Sequence, residues 1–178
     1  MSEFQELSQK IRARVREVPD FPKPGISFKD LTPVFGDGAL QRELCHALAE
    51  RYRKRRIDTI VAIESRGFIV GAPLAVELGV GLALVRKRGK LPWKTVSKSY
   101  ELEYGKDTLE MHEDAVKLGH RVLVVDDLLA TGGTAGATCD LVRSTGGEVV
   151  EAAFVIELAF LEGRGRLEGI DCPAIVTY

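Results

Sequence analysis

Phe4, Leu7, Ile11 and Val15 recur at helical spacing among charged neighbours, which predicts an amphipathic helix at the start of the chain. Pro19, Pro22, Pro24 and Gly25 then break any helix, because proline fixes φ and biases the residue before it away from helical geometry. Asp20 to Asp30 therefore reads as a shaped loop. From Ala39 to Arg55, Leu40, Leu44, Ala47, Leu48 and Tyr52 line one face and predict a second amphipathic helix. Thr59 to Ile63 is a short apolar run ending in Glu64-Ser-Arg-Gly67; Phe68 to Leu78 then reads as a buried helix and Gly81 to Val85 as a strand. Together they make one βαβ unit.

A second unit opens at Arg121. Val122 to Val125 predicts a strand that ends at Asp126-Asp127, and a loop leads into a helix from Thr134 to Ser144. Gly146-Gly147 stops that helix, Val149 to Ile156 supplies the next strand, and Ala174 to Val176 one more. The runs are nearly continuous rather than alternating, as in a parallel sheet covered on both faces. Between the units, Lys87 to Asp114 has little periodicity and is long for a plain connection, so a lid, a binding arm or a hairpin is expected there.

Composition narrows the picture. A length of 178 residues fits one domain, and a net charge of -1 removes the global pull toward nucleic acid or an anionic membrane. The most apolar stretch, Phe68 to Val85, is interrupted by Pro73, Glu77, Gly79 and Gly81 and does not suit a bilayer span. The first residues lack the apolar core of an export signal, so a cytoplasmic protein is expected. Cys45, Cys139 and Cys172 lie far apart, with no spacing for a metal site, and read as reduced thiols. His46, His112 and His120 are scattered and suit packing or surface roles.

The chemistry concentrates in Val122-Leu-Val-Val-Asp-Asp-Leu-Leu-Ala-Thr-Gly-Gly-Thr134. In an open α/β sheet, ligands bind beyond the carboxyl ends of the strands, and here a helix N-terminus stands directly behind the loop. Two glycines let the amides of Ala130, Thr131, Gly132, Gly133 and Thr134 converge, and two threonine hydroxyls add donors, so this turn is a phosphate cradle. It lacks the lysine of a Walker-type triphosphate loop. Asp126 and Asp127 would repel a phosphate, but they suit vicinal ribose hydroxyls or a metal-bound ligand. A 5-phosphoribosyl group meets both demands.

The thirteen-residue string resembles the 5-phosphoribosyl diphosphate (PRPP) motif of the type I phosphoribosyltransferases. Four further segments are similar to members of that family that act on adenine, in the same order along the chain. They are Asp20-Phe-Pro-Lys-Pro-Gly-Ile-Ser-Phe-Lys-Asp30, Glu64-Ser-Arg-Gly-Phe68, Arg86-Lys-Arg-Gly-Lys-Leu-Pro92 and Ser99-Tyr-Glu-Leu-Glu-Tyr-Gly105. The resemblance implies an α/β fold with a central, mostly parallel sheet flanked by helices. A hood would occupy about residues 1–35 and a flexible arm and lid about 87–114 of a single domain spanning 1–178. It implies transfer of the phosphoribosyl group of PRPP to adenine, giving AMP and pyrophosphate in purine salvage. Mg²⁺ would be held mainly by PRPP and water, with no direct protein ligand.

Roles follow residue by residue. Ala130 to Thr134 would grip the 5′-phosphate, and Asp126 and Asp127 the ribose. Ser65 and Arg66, with Arg86, Lys87 and Lys90 of the basic arm (Arg88 lies among them), would neutralise the departing pyrophosphate, since arginine makes bidentate phosphate contacts and lysine supplies a point charge. Phe28 would stack on the purine and Leu128 close its other face, while backbone groups of Ser27 and Lys29 read its edge. Glu103 would be the acid–base group, with Tyr104 shaping the closed lid and Arg66 assisting catalysis. The resemblance further implies a cis peptide at Glu64–Ser65 and a homodimer in which the arm reaches the neighbouring site. Two rivals remain: a transferase for another base, and a PRPP-sensing regulator that binds nucleic acid.

Overall fold

The computed structural model describes residues 3–102 and 105–178. Leu7 and Ile11 fix the first helix, α1 (Glu3–Arg14), by burying their side chains, while Val15 falls just beyond its end. The proline-rich loop is bracketed by two short antiparallel strands, β1 (Arg16–Val18) and β2 (Phe28–Asp30), which the sequence pattern did not announce. A single turn, α2 (Thr32–Phe35), leads to α3 (Gly38–Tyr52), where the Asp37 carboxylate accepts the Leu40 N–H and so caps the helix.

The remaining elements are β3 (Thr59–Ile63), α4 (Gly67–Leu78), β4 (Gly81–Lys87), β5 (Thr95–Leu102), β6 (Gly105–His112), β7 (Arg121–Leu129), α5 (Gly133–Ser144), β8 (Glu148–Glu157) and β9 (Ala174–Thr177). Among the described residues they build one sheet in the order β5-β6-β4-β3-β7-β8-β9. The strands β4, β3, β7, β8 and β9 run parallel, and β5 and β6 add an antiparallel hairpin at one edge. The expected insertion is thus an extension of the sheet. Its strands pair over their whole length, and Leu109 and Met111 anchor it in the core.

Each face of the sheet has its own core. Ile60, Leu123, Val125, Ala153 and Val155 pack under α1, α3 and α4, whereas Val61, Val85, Val122, Val124 and Phe154 pack under α5 and the hairpin. Along a strand, successive side chains point to opposite faces, so apolar residues at both parities are what a doubly covered sheet demands. A bulge between β7 and β8 turns Glu151 toward α3, where its buried carboxylate accepts from Arg51, Arg55 and the Tyr52 hydroxyl. Among the described residues no disulfide forms; Cys139 and Cys172 are buried and Cys45 only partly so.

The topology locates the site. From β3 the chain crosses over α4 to β4 on one side, and from β7 it crosses over α5 to β8 on the other. Strand order therefore reverses between β3 and β7, and a crevice opens there beyond their carboxyl ends.

Candidate active site

Both lips of this crevice are loops singled out by the sequence. The lip after β7 is Ala130 to Gly132, and α5 follows at Gly133. Gly132 has φ +79°, and a Cβ there would stand 2.1 Å from the carbonyl oxygen of Gly163. A Cβ at Gly163 would in turn lie 2.2 Å from the Ala130 oxygen. Two backbones are pressed together in a space that only glycine permits. The loop is thereby held from behind, and the first-turn amides of α5 are left without intrahelical acceptors, as at an anion-binding helix start.

Asp126 and Asp127 lie on β7 itself, which runs on to Leu129 rather than ending at Val125. Asp126 packs under the start of α4, where its Oδ1 accepts the Asp127 N–H at 2.8 Å. Burial, reinforced by the neighbouring Asp127 charge, pushes its carboxyl well above the usual carboxylate range. Gly67 makes room for it, since a Cβ there would approach Asp126 Oδ1 to 2.8 Å. Asp127 is buried and accepts a short hydrogen bond from Arg66 Nε. The Arg66 guanidinium also stands 5.9 Å from the centre of the Phe28 ring, which meets Phe21 edge-on at 5.3 Å. Arg66 thus joins the carboxylates to the hood, instead of reaching toward the basic arm.

On the opposite lip the peptide bond Glu64–Ser65 is cis, and Ser65 is exposed. Glu64 collects the cations expected for pyrophosphate: Lys90 Nζ lies 2.7 Å from its carboxylate, the Lys87 N–H 2.9 Å and Arg86 NH2 3.4 Å. Burial alone would raise this carboxyl, but those three partners overcome it and hold it at about 2. The Lys87 side chain pairs instead with Asp107 of the hairpin at 2.9 Å. Lys90 and Lys87 are exposed, and the Arg86 Nε is buried without a hydrogen-bond partner.

The hood residues divide. Ser27 is exposed, Phe28 faces Arg66, and the Lys29 side chain turns away to Glu17. Leu128 is half-buried against the core on the α4 face. Glu103 and Tyr104 lie outside the described residues. Sequence reasoning missed Tyr100, whose hydroxyl is 3.0 Å from Thr134 Oγ1 and whose ring lies over Gly133. It also missed the backing role of Gly163; Tyr100 falls in the Ser99–Gly105 segment, but only the packing of distant segments brings it and Gly163 to the loop.

A switch-point crevice with a glycine turn at a helix start, buried carboxylates on one strand and a cationic far lip defines a protein that binds a phosphorylated sugar. Residues 37–170 match the model of the phosphoribosyl transferase domain. The adenine phosphoribosyltransferase of Desulfitobacterium hafniense is 55% identical over 164 residues, 92% of this chain and 95% of that one. The crystal structure of adenine phosphoribosyltransferase from Thermoanaerobacter pseudethanolicus has a TM-score of 0.93 at 51% identity, covering 96% of this chain and 99% of that one. That of Saccharomyces cerevisiae, complexed with an imino-altritol bisphosphate and adenine, has a TM-score of 0.91 at 40% identity, covering 96% and 98%. The chain belongs to the phosphoribosyltransferase family and, by these relatives, to its adenine phosphoribosyltransferase branch.

Proposed function

We infer that this chain transfers the 5-phosphoribosyl group of PRPP to adenine, releasing pyrophosphate and forming AMP in purine salvage. The observation that carries this reading is Arg66, which touches the Asp127 carboxylate and faces the Phe28 ring at once. The sugar end and the base end of a nucleotide meet within one side chain's reach. The curated and solved relatives supply the base, since those reported above carry adenine in their names.

In the reaction a ring nitrogen of adenine bonds to the anomeric carbon, the bond from that carbon to the diphosphate oxygen breaks, and the base loses its N–H proton. The transition state resembles an oxocarbenium ion, as in other glycosyl transfers. The loop Ala130 to Thr134 holds the 5′-phosphate, and Asp126 and Asp127 orient the ribose near the developing positive charge. Ser65, Arg66, Arg86, Lys87 and Lys90 receive the diphosphate, with Arg66 also assisting catalysis, and the diphosphate must displace the Glu64 carboxylate from the two side-chain cations it holds, Arg86 and Lys90. Phe28 and Leu128 enclose adenine, backbone groups of Ser27 and Lys29 read its edge, and Glu103 takes the proton with Tyr104 closing the lid. Mg²⁺ would be held mainly by PRPP and water. No direct ligand from this chain is assigned to the ion, since Asp127 is paired with Arg66 and Asp126 packs under α4; the ion would supply charge neutralisation of the leaving group.

The working unit is a homodimer of single-domain chains, with a hood at about 1–35 and an arm at about 87–114. Its support is α4, a helix with one charged residue, Glu77, that leaves Val76 84% exposed beside the outward Leu82 and Leu84 of β4. A helix apolar on every side belongs in an interior, and a second copy would provide it. No helix among the described residues is long and apolar enough to cross a membrane, and a cytoplasmic location fits the reduced thiols.

The test is product formation from PRPP and Mg²⁺ with adenine, hypoxanthine, guanine, orotate or no base. AMP from adenine alone is expected. Turnover of another base would keep the PRPP site and overturn the base assignment; PRPP binding without turnover would favour a regulator.

A further inference from the structure

Lys29 lies on the hood strand β2, between the base-capping Phe28 and Asp30, yet its side chain faces away from the crevice and is nearly covered. Its ammonium pairs with Glu17 and sits 4.7 Å from the centre of the Tyr178 ring. The Arg12 guanidinium of α1 stands 4.4 Å from the same centre, and Arg12 also donates to the Thr177 carbonyl. Two cations therefore grip one aromatic ring, each within the roughly 6 Å at which a ring face attracts a cation.

The Tyr178 backbone is equally fixed. Its N–H donates to the Glu157 oxygen and its carbonyl accepts from the Ala159 N–H, both at 2.9 Å. The segment that holds it continues to Gly163, which backs the phosphate loop at Ala130 and Gly132, and Leu158 donates to the Leu129 carbonyl where β7 enters that loop. A short chain of contacts thus runs from the base cap through Lys29 and Tyr178 to the support of the phosphate grip. A hood already held in place costs less to close on the base, so loosening it weakens base binding.

We propose that Tyr178 is a positioning residue for the acceptor base: its ring, held between Arg12 and Lys29, sets the hood against the phosphate loop. This rests on the adenine reading, because the effect falls on the base that the hood covers. The ring face is the working part, so Tyr178→Phe keeps the function and Tyr178→Leu loses it. Lys29→Met keeps the ring but removes one of its cations, and so acts in the same direction as Tyr178→Leu.

Steady-state kinetics of the full chain and hydrogen exchange of the hood amides test this together. Tyr178→Leu is expected to raise KM for adenine by about 3- to 10-fold, with kcat and KM for PRPP held within about twofold, and Tyr178→Phe to match the unmodified chain. Amides of Phe28, Lys29 and Asp30 should exchange faster in Tyr178→Leu and Lys29→Met than in Tyr178→Phe. Parallel losses in kcat and in both KM values would show a general structural role and overturn the proposal. So would unchanged hood exchange in Tyr178→Leu, or a Tyr178→Phe variant as impaired as Tyr178→Leu. An unmodified chain that makes no AMP would sink the adenine reading instead, and the exchange comparison would still decide whether Tyr178 holds the hood.

Discussion

The two lips of the crevice are built on opposite principles. The lip after β7 owes its shape to backbone: Gly132 at φ +79° lies against Gly163, and the first-turn amides of α5 have no intrahelical acceptors. The lip after β3 owes its arrangement to charge, with Glu64 gathering Lys90, Arg86 and the Lys87 amide. A backbone cradle needs little rearrangement to bind, whereas a self-neutralised cluster must exchange one anion for another. That contrast suits a substrate whose 5′-phosphate stays through the reaction and whose diphosphate must leave.

The sharpest way to break the contrast is at Gly132. Gly132→Ala must adopt a left-handed φ and push into the Gly163 carbonyl, so a loss of about 2–4 kcal/mol in chemical denaturation is expected. KM for PRPP should rise by at least about 100-fold, if the convergent amides are the phosphate grip proposed above. Next in size is Asp127→Asn, which leaves the half-buried Arg66 without its carboxylate. A fall of about 100-fold in kcat/KM is expected in initial-rate measurements.

Glu64→Gln probes the other lip and separates its two charge states. The carboxyl of Glu64 is held at about 2, against an ordinary 4.5, so its pairs stabilise the fold fully above about pH 4.5 and lose their effect as pH falls through about 2. Thermal melts should show the variant about 1–2 kcal/mol less stable at neutral pH, with the gap closing between those two values. The smallest effect expected is from Tyr100→Phe. Removing its hydroxyl from Thr134 should raise KM for PRPP by up to about 10-fold and change stability by about 0.5–1.5 kcal/mol.

Legibility in the sequence follows the same divide. The central parallel strands β3, β7 and β8 announce themselves because both of their faces are buried, and the glycine turn because a helix start and a strand end flank it at fixed spacing. The family resemblance supplies the division of labour among residues that no periodicity could assign. What stayed hidden depends on distant partners. No local pattern shows that β7 carries Asp127 to Arg66, or that Arg66 lies beside Phe28. The insertion read as aperiodic because β5 is an edge strand with mostly exposed positions, and only β6, through Leu109 and Met111, carries the burial pattern. Neither β1 nor β2 exceeds three residues, too short for any alternation to register.

The most direct test of the whole account is a crystal structure of the chain with AMP. The 5′-phosphate is expected on the amides and hydroxyls of Thr131 to Thr134, the ribose hydroxyls toward Asp126 and Asp127, and the adenine ring against Phe28, with Glu64 still paired to Lys90. A phosphate seated on Arg86 and Lys90 instead, or an adenine ring away from Phe28, would contradict it.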